Sequence, residues 1–351
     1  MRIGIAGAGI VGRLLALKLI EHGHEVTLYD KSHAMDHTIA SNVAAGMLAP
    51  YAELESGEME VFELARDSIA RWKAILPTLS VMPTFKAEGS LMLAKPQETP
   101  ELEHFANRAK RAGISLQLMA QQGIRELEPD LADQQFMAIH LPEEGYLDTA
   151  ETMSALAQTL QEKGVTWHEN TKVVSIKRHA IYTVDDHTSF DHVFDCRGMG
   201  AKGAFEDLRG VRGELIWVRA PEVNIQRPVR LLHPRYSLYI VPRFDFHYII
   251  GATSIEAEDY SPISVQSTLE LLSACYSVHP GFSEARLVYT ATQCRPAFGN
   301  NMPKIWRTPD CIRINGLYRH GFLLAPKVVS AAVTHLHRLM NQGALYAPLA
   351  E

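Results

Sequence analysis

Three glycines and one carboxylate near the amino terminus have the types and spacing of a phosphate and ribose binder. Gly7, Gly9 and Gly12 stand in the order GAGIVG, and Asp30 closes the next apolar run, with Lys31 beside it. A side chain at any of the three glycines would obstruct. Gly7 permits a tight turn, Gly9 lets a pyrophosphate reach the backbone, and Gly12 lets a helix pack against a sheet. Backbone N–H groups around Ala8, Ile10 and Val11 then point at the phosphates from a helix N-terminus. Asp30 is placed to accept hydrogen bonds from an adenosine ribose. A glycine-rich structural turn is the alternative for an isolated GxGxxG, and this unit does not separate FAD from NAD.

These residues must be carried by a βαβ unit. Ile3 and Ile5 begin a short apolar strand, residues 11–20 continue at helical spacing, and residues 25–29 form a second strand. Strand, turn, helix, strand and acid all fall in register, which favours the dinucleotide reading.

Composition narrows the class. A chain of 351 residues holds two domains, and 46% hydrophobic residues give each a core. The formal charge of −6 provides no general field for nucleic acid. Cys196, Cys275, Cys294 and Cys311 make no CxxC pair, so a reducing, cytoplasmic setting without disulfide or zinc is expected. Arg13 and Lys18 interrupt the apolar amino terminus, which argues against a signal peptide, and no stretch is long enough for a transmembrane segment. His233, His247 and His279 have no ligand spacing, and no metal is expected.

Along the chain, residues 32–43 read as a polar loop. Ala44, Ala45, Gly46 and Met47 then open a small-residue segment ending at Pro50, suited either to the face of a flat ligand or to a packed turn. The periodicity predicts helices over 61–79, 98–112, 149–163, 264–276 and 327–340, the third capped by Thr149. Strands are expected at 89–94, 136–141, 165–168, 172–177, 212–218, 237–241, 247–252, 284–292 and 312–314. Residues 181–184 and 192–195 read as a hairpin-like pair. Gly198 and Gly200 follow as a second glycine-spaced strand exit that could approach a bound cofactor. The expected fold class is mixed α/β: a Rossmann-like nucleotide domain interleaved with a second, sheet-rich domain.

The sequence resembles the D-amino-acid-oxidase superfamily, especially its glycine oxidase, ThiO-like branch. The resemblance runs across the chain: GAGIVG at 7–12, AAGMLAP at 44–50, CRGMGAKG at 196–203, LRGVRGE at 208–214, LYIVPR at 238–243, IGAT at 250–253, CRP at 294–296 and NGLYRHGFLLAP at 315–326. It implies the D-amino-acid-oxidase/glutathione-reductase-like fold, with an FAD-binding domain over 1–85, 142–210 and 294–351 and an antiparallel-sheet substrate domain over 86–141 and 211–293.

The resemblance also selects FAD. It implies that Ala44, Ala45, Gly46 and Met47 approach the isoalloxazine, and that Val173 lies near adenine. Arg319, His320, Gly321, Phe322, Leu323 and Leu324 are implied at the pyrimidine end, where helix N–H groups favour the reduced ring. Arg295 is implied to grip an amino-acid carboxylate, Tyr239 to hydrogen-bond the carboxylate or amine, and Arg319 to edge the pocket. Arginine suits the carboxylate role because its fork meets two oxygens at once. The implied reaction is oxidation of glycine, sarcosine or a small D-amino acid by hydride transfer to flavin N5. Dioxygen would be the acceptor, and the products imine or oxoacid, ammonia or amine, and hydrogen peroxide.

A homo-oligomer is compatible with the family. After Arg295-Pro296 the chain departs from the branch, and the bulky Phe298 is expected to reshape the substrate channel. The alternatives are a related flavoprotein monooxygenase that modifies tryptophan in a partner protein during quinone-cofactor biogenesis, and a noncatalytic FAD-binding assembly protein.

Overall fold

The computed structural model describes residues 1–55, 59–114, 116–232 and 237–341. His233, set aside above as a metal ligand, lies outside them. Two large sheets organise the described residues. The first has six strands in the order Lys304–Arg307, Ile312–Asn315, His192–Asp195, Arg2–Ala6, Glu25–Tyr29 and Thr166–His168. Its neighbours run parallel except for the pair at the Lys304–Arg307 edge. Parallel neighbours need crossovers, and Ile10–Glu21 is the first of them.

That helix is buried nearly all round because it lies between the sheet, the helix Thr149–Glu162 and the terminal helix Gly321–Asn341. The cores of all four meet in one cluster that includes Ile3, Leu15, Leu156 and Leu324.

The second sheet has eight strands in the order Arg286–Ala297, Arg209–Arg219, His247–Gly251, Ser237–Pro242, Val229–Leu232, Ser90–Ala94, Met137–Leu141 and Leu118–Met119. All pairings are antiparallel except Val229–Leu232 with Ser90–Ala94. One face packs on the helix Val265–Val278 through Ile216, Ile250, Leu271 and Cys275. The other face looks towards the nucleotide sheet. Two three-stranded sheets complete the set, Ser175–Lys177 with Ala180–Tyr182 and His187–Ser189, and Met47–Leu48 with Gly145–Leu147 and Phe85–Lys86.

Four sequence expectations are corrected. Residues 181–184 do not pair with 192–195. Ala180–Tyr182 pairs with His187–Ser189, while His192–Asp195 enters the main sheet parallel to Arg2–Ala6. A strand of four residues, HVFD, carries no information about its partner.

The helix expected over 61–79 breaks into Met59–Ala65 and Ser68–Ile75. The break lies where Asp67 turns its carboxylate to Arg71 and Lys327, and it lets Trp72 donate Nε1–H to the Phe322 carbonyl at 2.8 Å.

The cap of Thr149–Glu162 is Asp148, whose Oδ1 accepts from the Glu151 N–H at 3.0 Å. Thr149 instead donates to the carbonyls of Asn42 and Ala44. The terminal helix starts at Gly321, six residues before the expected 327, and carries Pro326 inside it. Proline at the sixth position removes the N–H that would meet the Phe322 carbonyl four residues back, and the Trp72 Nε1–H occupies that carbonyl instead.

Trp72 is fully buried and joins the helix Ser68–Ile75 to the terminal helix. Trp72→Ala is expected to cost about 3–5 kcal/mol, read as a lowered denaturant midpoint at constant slope.

Candidate functional site

A cavity of about 520 Å³ runs from the glycine turn to the inner face of the eight-stranded sheet. At its nucleotide end the turn is held from three sides. Gly7 has φ +100°, and a Cβ there would stand 2.5 Å from the Cys196 carbonyl oxygen. A Cβ on Gly12 would come 1.9 Å from the Gly7 oxygen, so strand exit and helix start can only meet without it.

Asp30 accepts from the Ala8 N–H at 2.6 Å and from the Ser32 N–H at 2.8 Å. Ser41 Oγ accepts from the Ile10 N–H at 3.0 Å. None of these bonds engages the N–H of Gly9 or Val11, and both residues line the cavity. That leaves donors at a helix N-terminus for a phosphate.

A buried arginine and a half-buried one brace this end. Arg13 donates to the carbonyls of Ala8, Ala34 and Met153 at 2.6–2.8 Å and stacks over Trp167. Burial pulls its pKa down to about 10, with Asp30 and Glu169 opposing. Arg197 is forked onto Asp195, at 2.8 Å from each oxygen, and donates to the Val173 carbonyl at 3.1 Å. Both were overlooked in the sequence. A charge inside an apolar helix was the available signal for Arg13.

At the other end, strand register fixes a row of side chains on one sheet face. Leu215, Gly251, Tyr239 and Arg230 are direct partners across four adjacent strands. Direct partners point to the same side. Arg295 pairs with Val211, which alternation places on that same face, and its guanidinium lies over Gly213, where a Cβ would meet Nη2 at 2.2 Å. The Tyr239 ring likewise occupies the space above Gly251, its oxygen 2.7 Å from a Cβ built there. Each glycine gives room for the neighbouring side chain to lean inward, and the two leaning groups converge.

Arg295 Nη1 donates to the Thr253 carbonyl at 3.0 Å. Among the described residues no carboxylate forms an ion pair with it. Burial holds the Tyr239 pKa above its ordinary value, against the pull of Arg295, Arg243, Arg230 and Arg319. The phenol is therefore a neutral donor at physiological pH.

The facing wall comes from the 3-10 helix Tyr51–Leu54 and the segment before the terminal helix. Glu53, nearly buried, takes Arg319 Nη2 at 2.7 Å and His320 Nδ1 at 3.5 Å. Glu55 takes Arg230 Nη2 at 2.7 Å. Arg243 lies beneath Ala45, donating to its carbonyl at 2.8 Å and pairing with Asp148 at 3.1 Å. Sequence reading missed Glu53, Glu55, Arg230 and Arg243 because each acts through a partner distant in the chain.

Of the residues expected at the site, Gly7, Gly9, Ile10, Val11, Asp30, Lys31, Ala44, Ala45, Gly46 and Met47 line the cavity. So do Gly198, Gly200, Tyr239, Arg295, Arg319, His320, Gly321, Phe322 and Leu323. Ala8, Gly12, Val173 and Leu324 are not in the lining. Ala8 and Gly12 build the turn, Leu324 is buried in the core, and Val173 reaches the cavity only through Arg197.

Phe298 does not shape the channel. It is fully buried against Phe205, Leu208 and Trp306. Cys196 is buried, and burial and Asp195 raise its pKa well above the ordinary value. Among the described residues no group of three His, Cys, Asp or Glu could hold a metal ion, and no helix is long and apolar enough to cross a membrane.

The two sheets and the cavity between them have the mixed α/β architecture of a dinucleotide-binding protein. A sequence model of the family described as FAD dependent oxidoreductase matches residues 2–329, and the chain belongs to that family. A thiamine biosynthesis oxidoreductase ThiO of Rhizobium etli is 38% identical over 344 residues, spanning 98% of both chains. The bifunctional protein ThiO/ThiG of Synechocystis is 30% identical over 95% of this chain, which covers 51% of that longer protein. The crystal structure of glycine oxidase from Geobacillus kaustophilus superposes with TM-score 0.85 at 25% identity, covering 96% of this chain and 95% of that one. The enzyme class, the fold and the FAD dependence expected from the sequence therefore hold.

Glu144 lies behind the Arg230 wall, fully buried, accepting from the Ala52 N–H at 2.9 Å and the Ser90 hydroxyl at 2.5 Å. Burial raises its pKa from 4.5 to about 7, although Ser90, Arg230 and Ala52 oppose the shift. The unfolded chain loses this proton at lower pH than the folded one. Its contribution to stability is therefore complete below about pH 4.5 and is lost as pH rises through about 7. Glu144→Gln is expected to flatten that part of the stability–pH curve, measured by denaturant unfolding at fixed pH steps.

Proposed function

We propose that this chain is an FAD-dependent amino-acid oxidase acting on small amino acids, glycine and sarcosine foremost and small D-amino acids next. Dioxygen would be the electron acceptor, and the products imine or oxoacid, ammonia or amine, and hydrogen peroxide. The observation that carries the reading is Arg295. Its guanidinium lies in the cavity wall, fixed by a carbonyl and without a carboxylate of its own among the described residues. A charge held in that way is suited to a carboxylate brought by a ligand.

The residues present fit FAD. The cradle at Gly7 and Gly12 admits no side chain, Gly9 and Val11 offer N–H groups, and Asp30 with Lys31 stands where a ribose would lie. Ala45, Gly46 and Met47 offer a small-residue face for the isoalloxazine, and Arg319 to Leu323 would meet its pyrimidine end. Val173 would approach adenine through the Arg197 contact. When bound, FAD supplies the two-electron acceptor for an amino acid's α C–H bond.

The chain's own residues do the rest. Arg295 takes both oxygens of the substrate carboxylate and so fixes the α-carbon, while Tyr239 donates its phenol proton to the same carboxylate or accepts from the amine. Arg230, Arg295 and Arg319 surround Tyr239 with positive charge and disfavour a substrate ammonium. The amine is thereby held neutral, with its lone pair able to assist C–H cleavage, and no protein base is needed.

The six-stranded sheet, drawn from early, middle and late segments, supports an FAD domain over 1–85, 142–210 and 294–351. The eight-stranded sheet supports a substrate domain over 86–141 and 211–293, although the strands Arg209–Arg219 and Arg286–Ala297 cross those limits. The likeness to the Rhizobium etli protein supports a place in thiamine biosynthesis. Four buried free cysteines support the cytoplasm. Nothing observed favours the partner-protein monooxygenase or a noncatalytic assembly protein.

Anaerobic mixing of holoenzyme with glycine, sarcosine and small D-amino acids should bleach the oxidised flavin, and oxygen should then restore it with peroxide release. If no amino acid bleaches it, this reading is wrong. Arg295→Lys keeps the charge and loses the fork, so kcat/KM should fall about 10- to 100-fold while FAD content per chain stays unchanged.

A further inference from the structure

We propose that Arg230 binds a second carboxylate, so that the cavity takes amino acids or amines bearing two carboxylates as well as those bearing one. This rests on the amino-acid oxidase reading above, which assigns the first carboxylate to Arg295. The register places Arg230 directly opposite Tyr239 on the same sheet face, with Cα atoms about 4.5–5.5 Å apart. Tyr239 leans the other way, over Gly251, two residues before the Thr253 carbonyl that anchors Arg295. A phenol therefore stands between two guanidiniums, and all three groups line one cavity.

The structure shows what Arg230 accepts. Its Nη2 holds the carboxylate of Glu55 at 2.7 Å, and the remaining donors have no partner among the described residues. The guanidinium side chain is 16% exposed and that of Glu55 34%. The exposed member of the pair is thus the acid. Glu55 can turn to water at little cost, whereas Arg230 is committed to the cavity by its place in the sheet.

The charges agree with such an exchange. Arg295, Arg319 and Arg230 face Glu53 and Glu55, and Glu53 is also engaged by His320. One substrate carboxylate balances Arg295. A second one replaces Glu55 on Arg230 without stranding a buried charge, because Glu55 leaves to solvent. Behind Arg230, Glu144 retains its proton up to about pH 7 and so does not compete as a full anion below that pH.

The test measures dissociation constants of acetate, malonate and succinate on FAD-loaded wild type by titration calorimetry near pH 6.5. Malonate or succinate should bind at least tenfold tighter than acetate. In Arg230→Leu that ratio should fall to within twofold of one. In Arg230→Lys it should be intermediate, and in Glu55→Gln it should rise because the resident competitor is gone. Equal affinities in wild type, or a ratio unchanged in Arg230→Leu, overturn the proposal. Should Arg230→Leu fail to fold with FAD, the wild-type ratio and its direction in Glu55→Gln decide alone. Failure of the oxidase reading looks different: acetate itself does not bind, and no amino acid bleaches the flavin.

Discussion

The cavity depends on holding a half-buried guanidinium in its wall without giving it a counter-ion of its own. Arg295 meets this constraint through the Thr253 carbonyl, which satisfies a donor but leaves the positive charge uncompensated. A carboxylate in the same place would bind more strongly and would compete with the ligand, because an incoming anion would have to displace it from a half-buried position. The same device recurs where charge is used only as a brace. Arg13 is held by three carbonyls, and there the cost of burial shows as a lowered pKa.

Holding a long side chain in place requires space to be made for it, and the sheet supplies that space by omission. Gly213 and Gly251 stand beside Arg295 and Tyr239 on neighbouring strands, and each lacks the Cβ that would push the adjacent group upright. Glycine weakens a strand interior, so two of them in the central strands mark a place where packing has been exchanged for a converging pair of polar groups. The exchange is tolerable because the opposite sheet face remains a continuous apolar layer through Ile216, Ile240 and Ile250.

Much of the nucleotide half was legible in the sequence because its signals are local. GAGIVG, the apolar runs beside it and Asp30 lie within 31 residues of the amino terminus, and each constrains its neighbours. The substrate half was legible only through resemblance: nothing in the spacing around Tyr239 or Arg295 distinguishes them from core and surface residues. Of its facing wall, Arg319 and His320 were reached through the same resemblance, and the acids they meet were not legible. Glu55 meets Arg230 across 175 positions, and Arg319 meets Glu53 across 266, so neither pairing leaves a periodic trace. The error over 192–195 has the same origin. The short segment His192–Asp195, with only Val193 and Phe194 apolar, can suggest a strand but does not name its neighbour, which lies far away in the chain at Arg2–Ala6.

The two acidic residues of that wall divide their work by exposure. Glu53 is buried and bound from two sides, by Arg319 and His320, which ties the 3-10 helix Tyr51–Leu54 to the start of the terminal helix. Removing either partner would leave a charge in a site with little water, so this contact is expected to persist through ligand exchange. Glu55 is only two residues further on, yet it reaches the solvent side, and its single ion pair with Arg230 is of the kind that water can replace. One short segment thus carries both a fixed anchor and a releasable one. It is the difference in solvation between them, more than any difference in charge, that allows the wall to stay in place while one of its arginines changes partner.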